Sequence, residues 1–187
     1  RCRRQRQMCI RDSHNSLNKI INDNKFIESY TLAKLKSINP NIFNCCDKHR
    51  MYIEIIQNTN KDIKEGAVFN ETGIIGQVVN NKSYYEVMLL TDTKSSIPLT
   101  NSKENFYCNA LGSGVSGYIT CSYNQLIWSD DHELGEKFFS SGLGGIYPKG
   151  IEIGNLESIK IIDASTTLLK IKLISNPLHS NLFGVIK

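Results

Sequence analysis

Two hydrophobic periods divide the chain. Over residues 16–38 apolar side chains fall at Leu17, Ile20, Ile21, Ile27, Leu32, Leu35 and Ile38, broken by Asn22, Asn24 and Lys25. Spacings of three and four place most of them on one stripe, which predicts a helix over residues 14–40, either the end of a coiled coil or a packed surface helix. Asn39-Pro40 stops it, because proline lacks an amide donor and disfavours a helical residue before it. Beyond Pro40 the period becomes two. Met51, Ile53 and Ile55 share one face, as do Tyr85, Val87 and Leu89, and Leu169, Ile171 and Leu173 alternate with Lys170 and Lys172. Such alternation marks half-buried strands. Ile159 and Ile161 supply a partner strand across the turn at Asp163-Ala164-Ser165. Glycines from Gly66 to Gly154 cut the rest into strands of about five to eight residues, the spacing of small barrels or sandwiches.

Composition and charge then narrow the picture. The 187 residues are 40% hydrophobic, enough to bury roughly two-thirds of the unfolded surface in one ordinary domain or two small ones. A formal net charge of +4 invites phosphate binding. Its position in the chain removes the invitation. Arg1, Arg3, Arg4, Arg6 and Arg11 lie with Asp12 in the first 13 residues, so 22 basic against 18 acidic side chains become 17 against 17 over residues 14–187. The string from Arg4 to Ser13 resembles a translated sequencing adapter and shares none of the Ile, Asn and Lys bias that follows. Residues 1–13 are therefore expected to be non-native and are set aside for the fold. The neutral remainder gives no reason to expect nucleic acid as a partner. No apolar run approaches the roughly 18–20 residues of a spanning helix. Residue 14 is read as an internal start, with any anchor upstream of this fragment.

Cysteine usage leaves a choice open. Cys2 and Cys9 fall in the head, and Cys45, Cys46, Cys108 and Cys121 form no C-x-x-C pair, which argues against a zinc site. Cys108 and Cys121 flank the turn-rich Gly112-Ser113-Gly114-Val115-Ser116-Gly117. A hairpin centred between Gly114 and Val115 places them opposite each other, as a disulfide in an oxidising compartment or as two small core residues.

No arrangement of reactive residues makes a convincing active site. Ser116 with His132 and Asp130 or Asp131 has the residue types of a nucleophile triad. Its serine, however, sits in a Gly/Ser loop between two strands, where glycine serves the turn. A chymotrypsin-like order needs an earlier histidine, and only His14 and His49 are available. A cysteine nucleophile has still less support, since nothing near any of the four thiols argues for a lowered pKa. Gly142-Leu143-Gly144-Gly145 lacks the Lys-Ser/Thr of a phosphate-binding loop. Asp130, Asp131, Glu133 and Glu136 do not have EF-hand spacing and read as a solvated loop. No cofactor or metal is expected. Phe106, Tyr107, Tyr118 and Tyr123 read as core or interface aromatics.

The stretch from Phe139 to Gly154, containing Ser141-Gly142-Leu143-Gly144-Gly145, Pro148-Lys149-Gly150 and Ile153-Gly154, resembles the hallmark of the rod shape-determining MreC family. Gly73-Ile74-Ile75-Gly76-Gln77-Val78 and Val87-Met88-Leu89-Leu90-Thr91-Asp92 are similar to two further segments of that family, in the same order. Lys64-Glu65-Gly66-Ala67 precedes them as the family's glycine turn does. Two departures are mild: Glu136 stands where the family usually has Asp after Gly135, and Ser140 where it usually has Thr. The resemblance covers Leu17 to the C-terminus. It implies a mainly β fold, in which the helix ends a coiled coil and residues 41–187 form two small six-stranded barrels, dividing near residues 105–118. It also implies an inner-membrane protein with its bulk in the periplasm, acting as a non-enzymatic scaffold for cell shape. The implied partners are a second copy in a dimer or filament, the elongation penicillin-binding transpeptidase, other rod-complex membrane proteins and the actin-like filament protein. Gly142, Gly144, Gly145, Pro148 and Gly150 are expected to be structural. A chymotrypsin-like hydrolase, or an inactive relative, using Ser116 is the competing expectation.

Overall fold

The computed structural model describes residues 30–44, 47–56, 63, 65–81, 84–127 and 132–186. Among the described residues, twelve strands make two closed six-stranded barrels, with one short helix beside them. The strands are β1 (Thr31–Ile38), β2 (Arg50–Ile55), β3 (Gly66–Asn70), β4 (Gly73–Asn81), β5 (Tyr85–Leu89), β6 (Ser96–Asn101), β7 (Tyr107–Gly112), β8 (Tyr118–Asn124), β9 (Lys137–Ser140), β10 (Glu152–Ile161), β11 (Thr166–Leu173) and β12 (Leu182–Ile186). The first barrel runs β1-β12-β3-β4-β5-β2 and the second β10-β11-β8-β7-β6-β9, with every pairing antiparallel. The mainly β, double-barrel expectation holds. So does the pairing of Ile159 with Leu169 across the turn at Asp163.

The division of the chain differs from the expected one. The second barrel begins at Ser96 and ends at Leu173, and the first barrel closes only when β12 returns to lie between β1 and β3. The second barrel is thus an insertion into the first, and the boundary lies in residues 90–95 and 174–181 rather than near 105–118. A linear reading places one cut between two consecutive domains. An insertion needs two, and the pairing of residue 31 with residue 185 leaves no local trace in the sequence.

The expected helix is also corrected over its last part. Residues 31–38 form β1, pairing Leu32 with Gly184 on one side and Leu35 with Ile53 on the other. A β-bulge between Leu35 and Ser37 sets Leu35 and Ile38 three apart within one apolar cluster, and Leu32 belongs to the other cluster, so the three positions imitate a helical spacing. Residues 14–29 of the expected helix, and residues 1–13, lie outside the described residues. Pro40 instead opens a single helical turn, α1 (Asn41–Asn44), whose Asn41 amide donates to Asn39 Oδ1 at 3.0 Å, the role of an N-cap.

Each barrel is filled by alternating inward side chains. Met51, Ile53, Val68, Val78, Val87 and Phe183 fill the first, and Leu99, Ile119, Phe138, Leu169 and Ile171 the second. A single apolar cluster continues from Phe69, Ile74 and Leu90 of the first barrel into the second. Gly76 lets β4 and β5 approach: a Cβ there would lie 2.1 Å from the Met88 carbonyl oxygen. Removing residues 182–187 leaves the first barrel an open five-stranded sheet with two unpaired edges. Hydrogen exchange on that truncated chain is expected to show lost protection in β1 to β5 and retained protection in β6 to β11; loss throughout would show a single cooperative unit.

Candidate functional site: the joint between the barrels

The outgoing connection, residues 90–95, is tied down by a buried polar knot. Asp92 Oδ2 accepts from the His49 amide at 2.9 Å and from Arg50 Nε at 2.8 Å, and Oδ1 accepts from the Lys94 amide at 2.9 Å. Thr91 Oγ1 lies 2.7 Å from His49 Nδ1, and Arg50 reaches Glu86 on β5 at 3.5 Å. Asp92 and His49 are fully enclosed. A buried carboxylate survives folding only when its lone pairs are met by donors, and losing one partner of such a pair costs about 3–5 kcal/mol. The Thr91-Asp92 motif therefore locks the end of β5 to the start of β2. The tip of the β7–β8 hairpin clasps the same connection: Gly112 donates to the Ser95 carbonyl at 3.1 Å and Gly114 to that of Thr91 at 3.0 Å.

The return connection is held by the β3–β4 turn. Asn70 Nδ2 donates to the Asn176 carbonyl at 2.8 Å, and the Asn176 amide donates to Thr72 Oγ1 at 2.9 Å. Gly73 occupies that turn with φ +135°, a backbone conformation open chiefly to glycine.

The glycine-rich hallmark forms a third fastening. After β9 the chain turns through Ser141 to Gly150, with Gly142, Gly144, Gly145 and Gly150 all at φ between +71° and +84°. Ser140 Oγ bonds the Pro148 carbonyl and accepts from the Ile151 amide at 3.0 Å, and Ser141 Oγ donates to the Pro98 carbonyl at 3.2 Å. These bonds close the loop on itself and aim Tyr147 at the first barrel. Tyr147 is buried and donates its hydroxyl to Gln77 Oε1 on β4 at 2.9 Å. Burial pushes that hydroxyl's pKa up, so it remains a donor at neutral pH. Leu143 is exposed at the loop tip. Gly154, past the loop, lets β10 approach β11, since a Cβ would sit 2.2 Å from the Lys172 carbonyl oxygen.

Between these fastenings lies a cavity of about 350 Å³. Leu89, Leu90, Thr91, Ser116, Leu173 and Asn176 are among its lining residues. Its described lining residues are apolar side chains, hydroxyls and an amide.

Among the described residues, the reactive groups weighed in the sequence are not brought together. Ser116 is exposed in the β7–β8 turn beside the joint. His132 packs against Phe106, Tyr123 and Phe138, with Nδ1 2.7 Å from Glu136 Oε2, near the opposite end of the second barrel. His49 is committed to Thr91. Asp130, Asp131, His14, Cys45 and Cys46 lie outside the described residues. Among the described residues no cluster of three metal-ligating side chains occurs. Cys108 is joined to Cys121, but the two are not directly opposite as the hairpin reading placed them. Cys121 pairs with Ala110, a register two residues away, and the bond runs diagonally on the inner face. The hairpin tip holds more residues than a tight turn because it must reach the connection at Thr91 and Ser95.

Several residues of the joint carry no assigned role in the sequence, among them Arg50, Asn70, Asn176 and Tyr147, and His49 is considered there only as a catalytic histidine. Tyr147 lies within the quoted hallmark, and a large aromatic between glycines and a proline is a usable signal for an anchor. Arg50 gave none, because its partners Glu86 and Asp92 are 36 and 42 residues away, and Asp92 is 43 residues from His49.

Two closed six-stranded barrels, the second inserted into the first and tied to it by hydrogen bonds at the joint, define a double-barrel β protein. The chain belongs to the MreC family: the model for "Rod shape-determining protein MreC, barrel core" matches residues 42–187. It is 31% identical over 112 residues to the cell shape-determining protein MreC of Haemophilus influenzae, covering 57% of this chain and 31% of that one. The chain thus spans about a third of the length of that relative. A solved structure named MreC superposes at a TM-score of 0.77 with 22% identity, covering 100% of both chains. A complex between penicillin-binding protein PBP2 and MreC from Helicobacter pylori matches at a TM-score of 0.61 and 17% identity, covering 84% of this chain and 97% of that one.

Two outcomes test the joint. Gly144→Val forces a β-branched residue to φ +79° although no atom lies within 4 Å of its Cβ, so the cost is backbone strain of about 1–3 kcal/mol; unchanged melting with lost partner binding would instead make the loop a contact surface. His49 has its pKa lowered, chiefly by burial, with Asp92 opposing. The unfolded chain then takes up a proton first, so stability is full above about pH 6.5 and falls below it by up to about 1.4 kcal/mol per pH unit. The drop in melting temperature from neutral to mildly acidic pH is expected to be smaller in His49→Asn, which keeps a polar atom facing Thr91.

Proposed function

We propose that the chain is the periplasmic part of an inner-membrane, non-enzymatic scaffold for cell shape. It couples the rod elongation complex to peptidoglycan synthesis by self-association and by binding a penicillin-binding transpeptidase. Other rod-complex membrane proteins and the actin-like filament protein are its further proposed partners. The observation that carries the reading is the interlocked pair of barrels, matched in fold by the MreC that forms a complex with PBP2. A scaffold transmits position only if its parts keep a fixed relation, and hydrogen bonds that are buried at Asp92 and partly buried at Tyr147 and Asn176 support such a relation. The joined Cys108 and Cys121 suit an oxidising compartment.

The competing hydrolase depends on Ser116. In a rod-shaped bacterium lacking its own MreC-family protein, the full-length protein is expected to restore rods equally well with Ser116 or with Ser116→Ala. Loss of shape in the variant, with binding to the transpeptidase intact, would overturn the scaffold reading.

A further inference from the structure

The second barrel leaves part of one strand open. β10 pairs with β9 only as far as Asn155, and Leu156 then exchanges backbone bonds with Gly135 and Glu136. From Ser158 to Ile161, β11 is the only strand that pairs with it among the described residues. The side chains there are equally uncovered. Ile159 and Ile161 pair with Leu169 and Thr167, which are buried inside the barrel. Directly paired residues share a face, so both isoleucines project on the inner face beyond the closed rim, where they are 40% and 68% exposed. Exposed Ile162, Leu126 and Ile127 continue the apolar surface around the same end. An open edge with an apolar stripe is a template for another strand.

We infer that this edge pairs with the same edge of a second copy, in antiparallel register centred on Ile159. The inference rests on the self-association proposed above and names its surface. The register follows from symmetry and from what is already bonded. Two antiparallel strands related by a two-fold axis normal to the sheet keep their inner faces together, so the axis must pass through a residue rather than between two. An axis at Lys160 opposes two lysines, which is destabilising. An axis at Ser158 requires Leu156, whose backbone is committed to Gly135 and Glu136. An axis at Ile161 runs out of the strand, which ends there. The axis at Ile159 alone remains. It opposes Ile159 to its own copy, sets Lys160 opposite Ser158 and one step from Glu157, and joins two exposed apolar stripes into one. The contact is one short strand wide, so the pairing is weak and concentration-dependent.

Sedimentation of the full chain across concentrations, with oxidative cross-linking of Ile159→Cys followed by peptide mapping, tests the register. The expected result is a 159-to-159 linked peptide, none from a Thr120→Cys control on the outer face of β8, and self-association weakened at least about tenfold in Ile159→Glu. Melting of Ile159→Glu is expected to match the parent, because the side chain is already half in solvent. Persistent dimers without the 159-to-159 peptide would overturn the edge and leave self-association standing elsewhere. A chain that stays monomeric to about 0.2 mM would overturn both.

Discussion

The closure of the first barrel by its last strand is the constraint on which the remaining structure depends. β12 must reach β1 and β3 after a whole second barrel has been built, so both ends of that barrel have to emerge side by side. This explains where the polar fastenings lie. Asp92 anchors the outgoing connection and Asn176 the returning one, and each is bonded to a strand or turn of the first barrel.

The hallmark loop acquires its meaning from the same constraint. Two chain crossings fix two lines between the barrels and leave rotation about them. Tyr147 supplies a third fastening away from both crossings, with its ring buried and its hydroxyl on Gln77. The loop that carries the ring runs through Gly142, Gly144, Gly145 and Gly150, all at positive φ.

The buried polar groups are concentrated where movement would be costly, and the open groups where association is possible. The joint satisfies Asp92, Arg50, Asn70 and Tyr147 with short bonds. The far end of the second barrel carries exposed aliphatic residues and, among the described residues, an unpaired strand edge. Such a distribution suits a body that presents surfaces to partners while keeping its own parts in register.

The sequence by itself determined the strands, because two-residue alternation at Met51 to Ile55 or Leu169 to Leu173 follows directly from one face meeting a core. It also determined the family, through the run of glycines from Gly142 to Gly154 and the Thr91-Asp92 pair. It misread residues 31–38, where a bulge disguised the alternation, and it misplaced the boundary. Only the tertiary structure decided that the second barrel is inserted, that Asp92 meets His49 and Arg50, and that Tyr147 reaches Gln77. Each of those depends on pairs tens of residues apart. Local periodicity reports which face of an element is buried, and it carries no record of which distant strand or side chain does the burying.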